Sequence, residues 1–180
     1  MKRSYLMLAT GLLVVAGCEK SEAPSGQDSG SSSAAPAATL PAGLFLATQP
    51  DGATTVEDAR ASAKTGDPVT IRGRIGGSKS PFVEGRAVFT LMGSGLKACS
   101  DDPEDKCPTP WDYCCDNASD IAKHSATIQV VDTAGAPIRT GLRGTNGVRE
   151  LSEVVVVGRV THAEEKAFVV AASGVFIAKP

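Results

Sequence analysis

The chain has 180 residues, 42% of them apolar, 21% charged and only 4% aromatic. That is enough for one modest globular domain, and it excludes a coiled coil, a collagen-like fibre and a wholly disordered chain. With 18 basic against 20 acidic residues, the formal charge of -2 provides no field to draw in nucleic acid or an anionic membrane surface.

Lys2 and Arg3 precede a run from Tyr5 to Ala16 that is almost entirely apolar and ends in Gly17 and Cys18, the layout of a signal peptide. As a helix at ~1.5 Å per residue the run would span about 18 Å, too short for a ~30 Å hydrocarbon core, so it is no permanent membrane span. Val15-Ala16-Gly17-Cys18 resembles the lipobox of bacterial lipoproteins. The resemblance implies a signal peptide over 1–17, cleavage before Cys18, diacylglycerol on the Cys18 thiol and an acyl chain, such as palmitate, on the new amino terminus. Two or three acyl chains exceed the single-chain threshold for stable anchoring. The mature protein is then expected on the periplasmic side of a bacterial cell envelope, bound to the membrane through its lipid. Glu19, where an Asp would favour inner-membrane retention, leans toward the outer membrane without deciding between the two. Losing Lys2 and Arg3 takes the formal charge from -2 to -4.

From Glu19 to Leu40 the chain is dominated by Ser, Ala, Gly and Pro with no apolar period. Such a segment buries too little surface to offset its ordering entropy, and at ~5–6 Å × √n about 22 residues reach roughly 25 Å as a flexible linker. A lipidated cysteine and linker are therefore expected over 18–40 and a folded domain over 41–180. Leu44, Phe45 and Leu46 are expected to dock on that domain as a short arm.

Thr55 is placed to cap a short helix, with Glu57 and Asp58 in its positive first turn and Gly66 as its stop. The period then changes. Val69, Ile71, Gly73 and Ile75 alternate with Thr70, Arg72 and Arg74, the pattern of a half-buried strand. Ala87, Phe89 and Leu91 predict a second strand, and Ile128 with Val130 a third that ends at Asp132 in a turn around Gly135 and Pro137. One helical turn over 146–151 leads to a fourth strand, Val154 to Val160, bent at Gly158, and Phe168 to Ala172 continues toward Phe176 as a fifth. Five strands with a short helix between the third and fourth is the element order of an OB-type Greek-key barrel. The expected fold class is therefore mainly β: a five-stranded OB-like barrel with short helices and a Cys-rich insert. The stretches from Gly66 to Ile75 and from Val154 to Ile177 resemble OB-like domains of exported bacterial proteins. With Thr109-Pro110-Trp111-Asp112-Tyr113-Cys114-Cys115, the chain is similar to an uncharacterised family of predicted bacterial lipoproteins that share this run. The resemblance places the protein in the envelope without naming a reaction.

The insert, 97–120, carries the unusual chemistry: Cys99, Cys107, Cys114 and Cys115, with Trp111 and Tyr113 between them. It also holds Asp101, Asp102, Glu104, Asp105, Asp112, Asp116 and Asp120. Four cysteines in an exported, irregular segment without a core of its own read first as two disulfides. A bond between neighbouring Cys114 and Cys115 would be a strained ring, which leaves Cys99–Cys114 with Cys107–Cys115, or the crossed pairing. Each bridge closes a loop of about ten to fifteen residues, worth roughly 3 kcal/mol in the chain-entropy account. The alternative is a metal site in which the same thiolates, with His124, bind zinc or copper; the spacing lacks the two-residue gap of a zinc knuckle. A redox role would want a Cys-x-x-Cys pair, which is absent. The carboxylates lack the alternating spacing of a calcium loop.

His124 and His162, the only histidines, stand in no nucleophile–base motif, and no phosphate-cradling or dinucleotide fingerprint is present. An enzyme is not expected, and neither is a cofactor. OB barrels often bind single strands, and Arg72, Arg74 and Arg86 offer some positive charge. The acidic balance and scarce aromatics argue against nucleic acid. What remains is a tethered binding or structural module that meets an envelope protein or a glycan. Trp111, Asp112 and Tyr113 form its candidate contact surface, and the two aromatic rings are also expected to cover the cysteine bridges.

Overall fold

The structure is a computed structural model and describes residues 38–180. Cys18 and most of the linker lie outside these residues. The described part is mainly β, with one six-stranded sheet and few helices. Its strands are β1 (Thr54–Thr55), β2 (Pro68–Ile75), β3 (Val88–Met92), β4 (Ser125–Gln129), β5 (Glu153–Glu164) and β6 (Ala167–Lys179). The helices are α1 (Val56–Ser62) and α2 (Ala118–Lys123), with single 3-10 turns at Cys99–Asp101 and Thr145–Gly147.

The strands are ordered β1-β2-β3-β4-β6-β5, and β5, at the far end of that order, pairs back onto β2. The pairing of β5 with β2 is antiparallel from Pro68↔Arg159 to Arg74↔Glu153. The pairing of β4 with β6 is parallel, from Thr127↔Val169 to Gln129↔Ala171. β1 is the strand not anticipated: Thr54 and Thr55 run parallel to Ile71 and Arg72. Two residues are too few to show a period, so the sequence reads them only as a helix entry.

Thr55 does cap α1, its hydroxyl accepting the Asp58 N–H at 3.1 Å. The helix closes at Ser62, before the expected stop, and Gly66 instead takes a positive φ of 98° in the turn into β2. Ile71 and Ile75 are fully buried, as the alternation in β2 demands. In β3 the alternation is broken: Phe89 and Leu91 are buried, and so are Val88 and Met92 from the other face. Met92 is covered because the insert has a small core of its own, made by Met92, Ala98 and Tyr113 with Leu96, Ile121 and Leu151 against them. This corrects the expectation of a coreless insert.

The predicted bend is present, since the register of β5 against β6 shifts between Val157 and Gly158. A Cβ on Gly158 would collide with the Ala171 carbonyl oxygen. The Leu44–Leu46 arm docks on β6: Leu46 N–H donates to Val175 O at 2.9 Å and Val175 N–H to Leu44 O at 2.7 Å. The main core is aliphatic, gathering Val56, Ile71, Ile75, Leu91, Ile128 and Val156 with single aromatics such as Phe89 and Phe168. Among the described residues no helix is long and apolar enough to cross a membrane.

Ile71 lies at the centre of this packing, so Ile71→Ala should destabilise the domain by about 2–5 kcal/mol. Val83, an exposed apolar side chain, should tolerate Ala within ~0.5 kcal/mol. Urea unfolding followed by circular dichroism measures both.

Candidate metal centre

The insert leaves β3 at Gly93 and returns through α2 into β4. Two kinds of bond fasten it. Contacts with the loop after β2 hold it on one side: Gly77 N–H donates to Trp111 O at 2.8 Å and the Trp111 indole Nε1 to Lys79 O at 3.2 Å. An ion pair adds to this, because Asp101 accepts from Arg74 Nη1 through both oxygens at 2.7 and 2.9 Å. Arg74 also lies 3.9 Å from Glu153, and Arg72 donates to Ala53 O at 3.0 Å. Both β2 arginines that had offered positive charge to a polyanion are thus engaged within the chain. A cavity of about 390 Å³ opens here, walled by Arg72, Arg74, Lys97, Tyr113 and Val154.

Within the insert, short-range hydrogen bonds fold the chain onto itself. Most of the acidic residues spend their oxygens on neighbouring amides. Asp101 accepts Ala98 N–H at 3.0 Å, Asp102 accepts Glu104 N–H at 2.9 Å and Asp105 Oδ1 accepts Cys107 N–H at 2.7 Å. Asp120 accepts from Asn117 and Lys123 at the start of α2. The tightest turn spans Thr109 to Cys114. Thr109 Oγ1 donates to Asp112 Oδ2 at 2.6 Å, Asp112 N–H to Thr109 O at 3.0 Å and Cys114 N–H to Asp112 Oδ1 at 2.9 Å. Between the last two residues Tyr113 takes the left-handed region, φ 56°, which turns Cys114 back toward Cys107.

The outcome is a convergence of sulfur and oxygen. Cys114 Sγ lies 3.6 Å from Cys99 Sγ and 3.5 Å from Cys107 Sγ. Asp112 Oδ1 lies 3.8 Å from Cys99 Sγ and 3.7 Å from Cys107 Sγ. All four atoms fall within 4.8 Å of one another. A second set, Cys99, Asp105 and Cys115, meets the same limit. Among Cys99, Cys107, Cys114 and Cys115 no S–S pair is at bonding distance. A cation held tetrahedrally at ~2.0–2.3 Å from oxygen and sulfur spreads its ligand atoms about 3.5–3.8 Å apart. Four of the six separations within the set fall in that range, and the other two lie within 4.8 Å.

Asp112 is only 5% exposed, and among the described residues no Lys, Arg or His forms an ion pair with it. Burial pushes its carboxyl up, but hydrogen bonds from Thr109, Cys114 and Cys107 outweigh this and hold it below the usual carboxylate range. Burial raises the Cys99 thiol, whereas hydrogen bonds with Thr109 lower that of Cys107. Cys114 is pushed up by Cys107, then by Cys99 and Asp112. Tyr113, 2% exposed, has its phenol pushed up to about 12, chiefly by burial.

The expected contact surface is therefore altered. Asp112 and Tyr113 point inward, one to the thiols and one to the small core, because the turn needs the first and Met92 needs cover from the second. Trp111 alone of the three is half-exposed. His124 is not part of the sulfur cluster. It caps α2, and its Nδ1 lies 2.9 Å from Glu57 Oε1, which also accepts Gly95 N–H at 2.9 Å. This pair links residues 67 apart in sequence, and nothing local announces it. His162 is exposed and touches Thr161. Thr109 was also missed, although Thr109-x-x-Asp112 is the spacing at which a hydroxyl and a carboxylate close a turn.

Compared with protein-family models, curated proteins and solved structures, the chain has no match.

The Glu57–His124 pair makes a pH prediction. Desolvation raises the Glu57 carboxyl, but hydrogen bonds from His124 and Gly95 lower it further, so the net shift is below its ordinary 4.5. A depressed folded-state value contributes stability that is present above 4.5 and lost as the pH falls through the folded value. Glu57→Gln should therefore flatten the acid limb of the stability–pH curve below about 4.5, measured by thermal unfolding across pH 2–7.

Proposed function

We propose that this protein is a lipid-anchored, extracytoplasmic metal-binding module: an OB-like barrel whose insert binds a zinc-class cation through Cys99, Cys107, Cys114 and Asp112. The observation that carries the reading is the convergence of three thiols and a buried carboxylate within 4.8 Å of one another, four of the six separations being 3.5–3.8 Å. Buried charges are paired or coordinate a metal, and Asp112 has no basic partner among the described residues. Three sulfurs with one oxygen suit zinc better than calcium or magnesium, which prefer all-oxygen ligands. Copper(I) would use the thiolates and release the carboxylate.

The barrel reading is supported by the return of β5 onto β2, by the parallel β4–β6 pairing and by the 3-10 turn between β4 and β5. In it β2, β3, β4, β6 and β5 make the ring and β1 is a two-residue appendage. The anchor rests on the lipobox-like run ending at Cys18.

A second reading keeps the insert as a disulfide-stapled structural or binding module that meets an envelope protein or glycan. It is favoured by the 3.5 Å approach of Cys107 to Cys114 and the grouping of Cys99 with Cys115, which together match the crossed pairing. Thiol chemistry separates the two. With a bound metal, the insert thiols react with a maleimide only after a chelator is added; with disulfides, they react only after a reductant.

Zinc titrated against a chromophoric chelator should show tight binding that Asp112→Asn weakens by roughly 10–100-fold or more, while Trp111→Ala leaves it unchanged. Absence of binding by the reduced protein would sink the proposal. Cys18→Ala should abolish incorporation of labelled palmitate into the protein in growing cells and leave zinc binding intact.

A further inference from the structure

We propose that the insert holds two metal ions, the second bound by Cys99, Asp105 and Cys115 and bridged to the first by the Cys99 thiolate. The inference rests on the reading above that the insert binds a metal, and it adds the number of ions and the division of labour between them.

Cys99 is the shared member of two convergent groups, with Cys107, Asp112 and Cys114 on one side and Asp105 and Cys115 on the other. A thiolate sulfur keeps three lone pairs and can bond two cations at once. Cys115 Sγ approaches Asp105 Oδ2 to 4.0 Å. The other oxygen of Asp105 is fixed by the N–H of Cys107, a ligand of the first ion, at 2.7 Å. One backbone bond thus couples the two sites and turns Oδ2 toward Cys115.

The arrangement also accounts for the Cys114-Cys115 dipeptide. Consecutive side chains diverge, so two adjacent cysteines are poorly placed to grip one ion and well placed to serve two. Here Cys114 faces the first group and Cys115 the second. Charge points the same way. With both sites loaded, four thiolates and two carboxylates gather six negative charges in this small volume. With only the first site loaded, three thiolates and two carboxylates face one divalent cation and leave a net charge of three negative; loading the second ionises Cys115 and leaves two. Loading releases the four thiol protons to water, and no electron moves.

The sites differ in closure. The first has four protein ligands, including buried Cys99 and Asp112, and keeps its ion. The second has three, and Cys115 is exposed, so a fourth position stays open to water or to an incoming ligand. The second ion is the exchangeable one, which makes the insert a place where a cation can be handed on.

The test is a metal count. The full chain, solubilised in detergent and reduced with a phosphine, is titrated with zinc and weighed by native mass spectrometry. A ¹¹³Cd-loaded sample is then examined by NMR. Two ions in the wild type, one in Cys115→Ser and in Asp105→Asn, and two ¹¹³Cd resonances split by mutual coupling are expected. Cys115 is exposed, so its replacement leaves the packing undisturbed, and Asp105→Asn supplies an independent variant. One ion in the wild type and in both variants overturns the second site and leaves the proposed metal binding standing. Two uncoupled resonances overturn the Cys99 bridge. No ion in the reduced wild type overturns the proposed function itself.

Discussion

β5 is hydrogen-bonded along both edges, and the rest of the molecule is arranged around that fact. From Glu153 to Arg159 it pairs with β2 on one side and β6 on the other. A strand held this way leaves few backbone groups to satisfy, and its run Val154–Val157 meets the core, with Val154, Val155 and Val156 all buried. With 4% aromatic residues the chain has few large side chains to fill a core. Short β-branched residues on closely paired strands fill it instead, and β3 and β4 are drawn in until the insert between them has a fixed base.

That base decides what the insert can do. A segment of this composition, rich in Asp and Pro, has no reason to hold four side chains in one place on its own. It does so because each end is fixed to the sheet. Arg74 grips Asp101 near the entry, Gly77 and Lys79 take Trp111 in the middle, and Gly93 N–H donates to His124 O at 2.7 Å at the exit. Tyr113 fills the space over Met92. Its neighbours Asp112 and Cys114 are then placed by the backbone rather than by their own rotamers. The proposed ligands are thus positioned largely before any cation arrives.

Much of the fold was legible because it depends on local periods. The alternation of Val69, Ile71 and Ile75, the Thr55 cap and the Gly158 bend each follow from a few neighbouring residues. What was hidden depends on partners distant in the chain. Met92 is a surface position by strand alternation and is buried only because Tyr113 reaches it. Glu57 is an ordinary first-turn carboxylate until His124 arrives from the far side of the insert. The cysteines are the sharpest case. Their gaps lack the two-residue knuckle, and nothing in the spacing announces that Cys99, Cys107 and Cys114 converge with Asp112. The convergence is made by Thr109 and by the positive φ of Tyr113, features that cysteine spacing does not encode.

Gly76 gives the insert a kind of address. A Cβ there would sit 2.6 Å from the Trp111 carbonyl oxygen and 3.1 Å from the Tyr113 ring, so the strand end and the insert touch backbone to backbone. The insert is therefore not a portable loop. Grafted between two strands of another sheet, it would need a side-chain-free residue at the facing position, an arginine two residues earlier and a hydrogen-bonding edge just beyond. A sheet lacking that short Arg-x-Gly sequence could carry all four cysteines and never bring them together.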